Sequence, residues 1–294
     1  MPVYNGEDYL SEAIQSVINQ TYSEWKLLLI DDCSTDRSRD IIEQFSGDSR
    51  ISKLYHANNC GLYGSLVKAV SHINSEWIVI LMQDDRLKPG YLEEMFSIVK
   101  HYPESKAFWA TEDLIDRDGQ MLRKGSETSR IEVINPGISP WLSILRRGCI
   151  WTISGSLTHR SLFLSDPFRI DLPHCGDYDW LLRTIRREIF VYYEKALTEI
   201  RIHEKQASTS NLKSGQDIKE YHSIINNNLC NYSQEISQLK TLHISLQWAK
   251  AMSLRMISSF LKGNLYYAAF LGWYTLKFLS LPFTYKRMNN ATNT

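Results

Sequence analysis

The sequence predicts an α/β protein with a mostly parallel sheet and helices on both faces of that sheet. Short apolar runs alternate with amphipathic helical patterns through the first part of the chain, as in right-handed βαβ units. Two of these runs end in paired aspartates, which begin at Asp31 and Asp84. Of the 294 residues, 43% are hydrophobic, which is enough for one large domain with an appendage. Because ligands bind at the carboxyl ends of parallel strands, the acidic pairs mark the predicted binding edge.

The first elements follow from apolar periodicity. Apolar side chains at helical spacing predict a helix over residues 8–20 with one buried stripe. The apolar run at 27–30 predicts a fully buried strand, and Ser34 or Thr35 offers an N-cap for the next helix. The same alternation predicts a strand at 51–55, a helix at 62–73, a strand at 77–82 and a helix from Pro89 to about Lys100.

Patterning is weaker after residue 100. Strands are predicted near 107–111, 150–154, 190–193 and 197–202, and helices around 141–145 and from Tyr178 onward. From about Leu212 the chain is predicted to be helical.

Charge is balanced overall and asymmetric locally. The 33 basic and 33 acidic residues cancel, which argues against a protein that neutralises nucleic-acid phosphates. From Thr241 to Thr294, however, there are six Lys and Arg residues and no Asp or Glu. This composition indicates either contact with an anionic membrane surface or an amphipathic helix pair that covers the core. For a membrane contact, a helix over residues 265–283 would lie in the interface with Trp273 and Tyr274 at headgroup level.

Cysteine usage indicates the compartment. The five cysteines form no CxxC pair, which is typical of a reducing compartment and of neither a disulfide framework nor a zinc site. No secretory signal pattern precedes Pro2. We therefore expect a cytoplasmic protein that is peripheral on the inner face of the cell membrane.

Several polar residues at predicted strand ends and helix starts could carry chemistry. Asp84 with Asp85 suits a hard cation such as Mg²⁺ or Mn²⁺, held together with substrate phosphates. Asp177 precedes a predicted helix, where it could cap that helix or act as a base. His203 lies just beyond a strand, and a neutral imidazole there can complete a divalent-cation shell. Gly155 offers a loop that can approach a ligand closely.

Six segments together resemble one known family. They are "PVYNGEDYLSEAIQSVINQTYSEWKLLLIDDCSTDRS", "NCGLYGSLVKAV", "WIVILMQDDRLKPGYLE", "SGSL", "GDYDWLLR" and "RIHEKQAS". In this order, over about residues 2–210, they resemble family 2 inverting glycosyltransferases of the bacterial surface-polysaccharide type, which have the Rossmann-like GT-A fold. The resemblance implies a GT-A domain at 1–210, with a nucleotide-sugar half at 1–100 and an acceptor half at 101–210. A helical region at 211–294 would follow.

The resemblance also implies site residues. Asp32 would accept a hydrogen bond from a uracil or thymine ring N–H, and Asp177 would be the general base. The donor nucleotide would contact Pro2, Tyr4, Glu7, Asp32 and Gly61. The Mn²⁺ or Mg²⁺ ligands would be Asp84, Asp85 and His203. The acceptor or sugar pocket would include Gly155, Ser156, Trp151 and Asp179, although Trp151 could equally belong to the core.

These roles imply one leading function, against which two alternatives stand. A sugar would move, with inversion, from a nucleotide-diphosphate sugar to a hydroxyl of a glycan or lipid-linked acceptor. Met82 replaces the first aspartate of the family's DxD signature and Gly176 replaces the glutamate of xED. These changes favour the first alternative, a non-catalytic nucleotide-sugar-binding relative or a truncated inactive glycosyltransferase that acts as a binding partner. The retained Asp84, Asp177 and His203 oppose it. A nucleotidyltransferase, the second alternative, lacks its expected glycine- and lysine-rich phosphate loop near the N-terminus.

The opening residues carry a further expectation. In the family, an apolar strand precedes the segment that corresponds to "PVYN", whereas only Met1 precedes it here. We therefore expect a truncated first strand, an internal start at Met1 and a native chain that is several residues longer.

Overall fold

A computed structural model describes the backbone of residues 1–206 and 215–292, and the side chains of these ranges up to residue 282. The chain divides into two compact units. The first contains Met1–Gly137 and Trp151–Gln206, and the second contains Ile138–Ile150 and Ala207–Thr294. The predicted domain boundary at residue 210 lies outside the described residues.

The first unit begins with a three-stranded parallel sheet in the order β1-β2-β3. Its strands are β1 (Pro2–Val3), β2 (Leu27–Asp31) and β3 (Ile51–Tyr55). The helices that follow them are α1 (Leu10–Ile18), α2 (Ser38–Gln44) and α3 (Gly61–His72). The predicted helix at 8–20 and strands at 27–30 and 51–55 are confirmed, with small differences at their ends.

The predicted N-cap of α2 is wrong, because the two candidate residues bind another loop. The Ser34 hydroxyl accepts the Asn5 backbone N–H at 3.0 Å, and the Thr35 N–H donates to Asn5 Oδ1 at 2.8 Å. The helix begins later, at Ser38, whose N–H donates to Asp36 Oδ1 at 2.9 Å. These bonds attach the loop after β1 to the start of α2.

The second sheet of this unit has seven strands in the order β4-β9-β6-β10-β5, with β7 paired to β6 and β8 paired to β10. Its strands are β4 (Trp77–Ile80), β5 (Arg86–Leu87), β6 (Ala107–Ile115), β7 (Met121–Arg123), β8 (Ile131–Ile134), β9 (Ser156–His159) and β10 (Phe190–Arg201). Only β6 and β10 pair in parallel. The sheet is therefore mixed rather than mostly parallel, because short turns such as the one between β6 and β7 return the chain antiparallel.

In this region one strand prediction is wrong, and two others are confirmed as parts of a single strand. The strand predicted at 150–154 lies instead at Ser156–His159, after Gly155 turns the chain with a φ of 76°. The strands predicted at 190–193 and 197–202 are one continuous strand, β10, whose pairing with β6 shifts register between Tyr193 and Thr198.

Helices α4 (Tyr91–His101), α6 (Arg160–Ser165) and α7 (Gly176–Thr184) complete the first unit. One apolar core joins side chains of α1, α4 and both sheets. It includes the fully buried Ile14, Leu29, Tyr91 and Phe108.

The second unit is helical. Its helices are α5 (Ile138–Arg147), α8 (Gln216–Asn231), α9 (Gln238–Leu261) and α10 (Leu265–Thr292). The Trp248 indole N–H donates to the Leu145 carbonyl at 2.8 Å, and its ring stacks on Phe278. Among the described residues, no helix is both long and apolar enough to cross a membrane.

Candidate active site

Asp84 and His203 meet at one edge of the second sheet. Asp84 follows β4, and His203 follows β10. The antiparallel pairing of β10 with β5, in which Glu199 lies opposite Arg86, brings the two loops together. Asp84 Oδ2 lies 2.9 Å from His203 Nε2. The resemblance predicted both residues as metal ligands, and they are in direct contact.

Arg201 holds this pair in place. Its side chain is 1% exposed, and Nε donates to the Asp84 carbonyl at 3.0 Å. Nη2 forms an ion pair with Glu12 at 2.7 Å, and the guanidinium lies over the Tyr9 ring, which also contacts His203. Sequence reasoning missed Arg201. The available signal was a charged residue at the end of a mostly apolar strand, two positions before His203.

Asp85 stabilises the loop from inside. Its Oδ1 accepts the Arg201 backbone N–H at 2.9 Å, and it also bonds the Ser154 hydroxyl. Burial, and after it the charge of the neighbouring Asp84, raises the pKa of Asp85 to about 7. These internal bonds make Asp85 a support for the loop, and its assignment as a metal ligand stays a prediction.

The other two predicted metal ligands, Asp84 and His203, fit a divalent cation. Asp84 offers a carboxylate oxygen and His203 an imidazole nitrogen, with side-chain exposures of 19% and 10%. An imidazole suits a transition metal such as Mn²⁺ better than Mg²⁺, which prefers oxygen ligands.

Gln83 links the loop that carries Asp84 to the loop after β1, where the sequence predicted contacts with the donor nucleotide. Its Oε1 accepts the Tyr4 N–H at 2.8 Å, and its Nε2 donates to the Tyr4 carbonyl at 3.0 Å. A Cβ at Gly6 would collide with the Gln83 amide, so this approach depends on a glycine. The Tyr4 residue remains 48% exposed. Sequence reasoning missed Gln83, which it treated only as the variable position of the signature.

Asp32 lies where β2 ends, against the start of α3. Its Oδ1 accepts the Cys60 N–H at 2.8 Å and lies 2.9 Å from His56 Nδ1. Gly61, which follows Cys60 in the chain, begins α3 with a φ of 73°. Pro2 pairs with Ile30, one strand away, so Pro2, Asp32 and Gly61 lie at the same end of the small sheet.

The same corner offers three possible metal ligands that the sequence reasoning did not group. One ligand atom from each of Asp32, His56 and Cys60 lies within 4.8 Å of the others. Lys68 Nζ lies 2.8 Å from Cys60 Sγ, however. An ammonium group at the sulfur opposes a second cation there.

The Glu7 carboxylate forms hydrogen bonds within the protein rather than facing an open pocket. It accepts both the backbone N–H and the side-chain Nε–H of Arg37, each at 3.1 Å. The contact joins the loop after β1 to α2. This pairing does not support a direct contact between Glu7 and a nucleotide.

Asp177 lies in the first turn of α7, next to Tyr63 of α3. Its backbone N–H donates to the Tyr63 hydroxyl oxygen at 3.0 Å. The Tyr63 ring also explains Gly176, because a Cβ there would lie only 2.7 Å from ring atom Cε2. Tyr63, which sequence reasoning missed, thus connects the predicted base to the helix that begins at Gly61.

The predicted acceptor residues mostly pack inside the unit. Trp151 is 3% exposed and stacks on Trp180 with ring centroids 4.8 Å apart, and Ser156 is fully buried. Asp179 accepts a hydrogen bond from Arg183 Nε at 2.8 Å. A Cβ at Gly155 would collide with Thr198, so the close approach of Gly155 is to another strand. This packing does not support direct contacts with an acceptor.

Comparisons with known proteins agree with this fold. Residues 1–135 match the family model for glycosyl transferase family 2. The putative teichuronic acid biosynthesis glycosyltransferase TuaG of Bacillus subtilis (strain 168) is 34% identical over 125 residues, covering 42% of this chain and 49% of TuaG. The putative glycosyltransferase EpsH of the same organism is 26% identical over 278 residues, covering 86% of this chain and 78% of EpsH.

A solved structure matches nearly the whole chain. The crystal structure of S. aureus TarS 1–349 in complex with UDP-GlcNAc superposes with a TM-score of 0.59 at 13% identity, covering 97% of this chain and 90% of that chain. An uncharacterized glycosyltransferase of Rickettsia felis is 27% identical over 211 residues, which is 71% of this chain. The chain spans only part of these relatives: 49% of the length of TuaG and 34% of the length of the Rickettsia felis protein. The predicted fold is confirmed: the chain has a GT-A-like fold, and its residues 1–135 match the family model for glycosyl transferase family 2.

Proposed function

We propose that this protein is an inverting glycosyltransferase that moves a sugar from a UDP- or dTDP-sugar to a hydroxyl of a glycan or lipid-linked acceptor in cell-surface polysaccharide assembly. The observation that carries the proposal is the contact of 2.9 Å between Asp84 and His203 beside the Gln83–Tyr4 link. Support also comes from similar proteins: TuaG is a putative teichuronic acid biosynthesis glycosyltransferase, and TarS was crystallised with UDP and with UDP-GlcNAc.

The donor base would bind between Tyr4 and Asp32. The exposed Tyr4 ring offers a stacking surface. Asp32 Oδ1 is used by Cys60 and His56, which leaves Oδ2 to accept a ring N–H from uracil or thymine. An ionised carboxylate accepts hydrogen bonds and donates none, so this contact selects a base that presents a ring N–H.

Asp84 and His203 would hold the cation that neutralises charge on the departing nucleoside diphosphate. Arg201 fixes Asp84 through its carbonyl. Gln83 keeps Tyr4 at a set distance from the same loop. The base pocket and the diphosphate site are thereby held together, which keeps the sugar aligned for attack.

Asp177 would act as the general base. Its carboxylate would take the proton of the acceptor hydroxyl while that oxygen attacks the anomeric carbon opposite the leaving group. A single displacement of this kind inverts the anomeric centre. Tyr63 fixes the backbone of Asp177, so the base is held by the same helix that begins at the donor pocket.

The alternative function is donor binding without turnover. Met82 in place of a carboxylate favours this alternative, because it removes one charge from the DxD signature. Gly176 is weaker support, since the space of a larger side chain is taken by Tyr63.

For location, we propose a cytoplasmic protein on the inner face of the cell membrane. The support is the acid-free segment from Thr241 to Thr294, which carries six basic residues.

The test is sugar transfer and donor hydrolysis with a panel of UDP-, dTDP- and GDP-sugars, each with Mn²⁺, Mg²⁺ or EDTA. We expect Asp177→Asn to lower transfer by about 100-fold or more and to leave UDP affinity unchanged. Asp118→Asn is the matched control, because the Asp118 side chain is 69% exposed. Transfer that survives in Asp177→Asn would refute the base assignment. Metal-dependent UDP binding without turnover of any donor would favour the alternative.

A further inference from the structure

Helix α9 has two unlike faces. Thr241, Ile244, Trp248 and Met252 are buried on the inner face. On the opposite face, large apolar side chains are 44–79% exposed and fall within an arc of about 120° over about 32 Å of helix. We call this surface the α9 stripe: Leu239, Leu242, Leu246, Leu254, Ile257 and Phe260.

The charges on α9 are all positive. The helix contains Lys240, Lys250 and Arg255 and no Asp or Glu. Arg255 is used internally, because it pairs with Asp217 of α8 at 3.2 Å. Lys250 is exposed and, by helical spacing, falls on the side of the stripe.

The charges decide between two occupants of the stripe. In a symmetric pair of α9 helices, each Lys250 would face a surface that has the same positive charges and no carboxylate on either α9. A membrane with anionic headgroups offers phosphates to the lysines and an acyl region to the leucines. The membrane therefore satisfies both features of the face, whereas a second copy satisfies only one.

We propose that the α9 stripe is the surface that docks this protein on an anionic membrane. The proposal refines the membrane location given above, but vesicle binding needs neither donor nor acceptor. A failure here therefore leaves the proposed sugar transfer untouched.

On helix α10, where the sequence predicted this contact, one of the two expected headgroup-level residues is buried. Tyr274, expected at headgroup level, is only 8% exposed and packs against His222 and Phe270. This part of the sequence prediction is wrong, because Tyr274 lies on the inner face of α10. Trp273 is 58% exposed, but Lys277 Nζ lies over its ring at 5.4 Å.

The test is cosedimentation of the full chain with vesicles of phosphatidylcholine, with and without phosphatidylglycerol. We expect binding only with phosphatidylglycerol. Leu254→Glu/Ile257→Glu should lower the partition coefficient by at least about tenfold. The matched control is Trp273→Glu/Leu276→Glu, which places the same charges on exposed positions of α10 and should bind within about twofold of the wild type.

A single substitution keeps the proposal testable if the α9 double variant misfolds. Lys250→Glu changes one exposed side chain and should weaken binding at least about fivefold at low salt, with a smaller difference at high salt. Equal binding to both vesicle types, or equal losses in the α9 and α10 variants, would overturn the proposal. So would a wild-type dimer in sedimentation velocity that the α9 double variant dissociates.

Discussion

Tyr63 and Gly176 form a size-matched pair, and this predicts a strong coupling between substitutions at the two positions. A Cβ added at Gly176 would lie 2.7–2.9 Å from three atoms of the Tyr63 ring. The ring cannot withdraw easily, since Tyr63 is 4% exposed and packs on Phe168 at 5.3 Å. Gly176→Ala should therefore destabilise the protein, although alanine is the better helix former.

The magnitude follows from overpacking in a dense interior. Gly176→Ala alone should cost about 1–3 kcal/mol, and Tyr63→Ala alone about 3–5 kcal/mol because it leaves a cavity. In the double variant the new methyl group points into that cavity, so the cost of Gly176→Ala should vanish. The coupling energy is then about 1–3 kcal/mol.

The assay is urea unfolding of the four proteins of this double-mutant cycle. Gly47→Ala is the matched control, because a Cβ at Gly47 has no atom within 4 Å, and its unfolding free energy should change by less than about 0.5 kcal/mol. Additive effects at Tyr63 and Gly176 would show that the ring does not determine the need for glycine, and the account of this site would fail.

Three further predictions concern the loop that carries Asp84 and the residues that hold it. Gln83→Leu removes both hydrogen bonds to Tyr4. It should weaken UDP binding about tenfold in calorimetry with little change in Tm, and unchanged affinity would contradict the proposed link. Arg201→Met removes the donors to three partly buried carbonyls and should lower the unfolding free energy by at least about 3 kcal/mol; a loss below about 1 kcal/mol would contradict its role. Met82→Asp adds a carboxylate beside Asp85, whose pKa is already raised to about 7 by burial. It should lower Tm in EDTA and restore it with Mn²⁺, and a Tm insensitive to Mn²⁺ would count against a cation at this loop.

The first half of the fold could be predicted because its signals are local. The strand Ile51–Tyr55 matches the predicted range, and α1 buries the apolar stripe that predicted it. Strand β7, by contrast, has only three residues, all of them exposed, and is too short to show a period. Its formation depends on pairing with β6 rather than on its own residues, so periodicity had nothing to detect.

The residues of the candidate site also divide into those that the sequence could predict and those that it could not. Asp84 and His203 could be found because each stands at the end of a strand within a family motif. Tyr63, Gln83 and Arg201 act on partners that are 79 to 117 positions away in the chain. Contacts at such separations leave no spacing in the sequence that a periodicity argument could use.

The departures from the family pattern occur where these long-range supports act. Gly176 lacks the glutamate side chain, and Tyr63 occupies its space and binds the next residue, Asp177. Met82 lacks the aspartate side chain, and the adjacent Gln83 ties the loop to Tyr4. A protein that only binds a donor has no need of a fixed Asp177, the residue proposed as the base, whereas sugar transfer requires it. Supported loops around Asp84 and Asp177 therefore favour a working transferase over a binding relative.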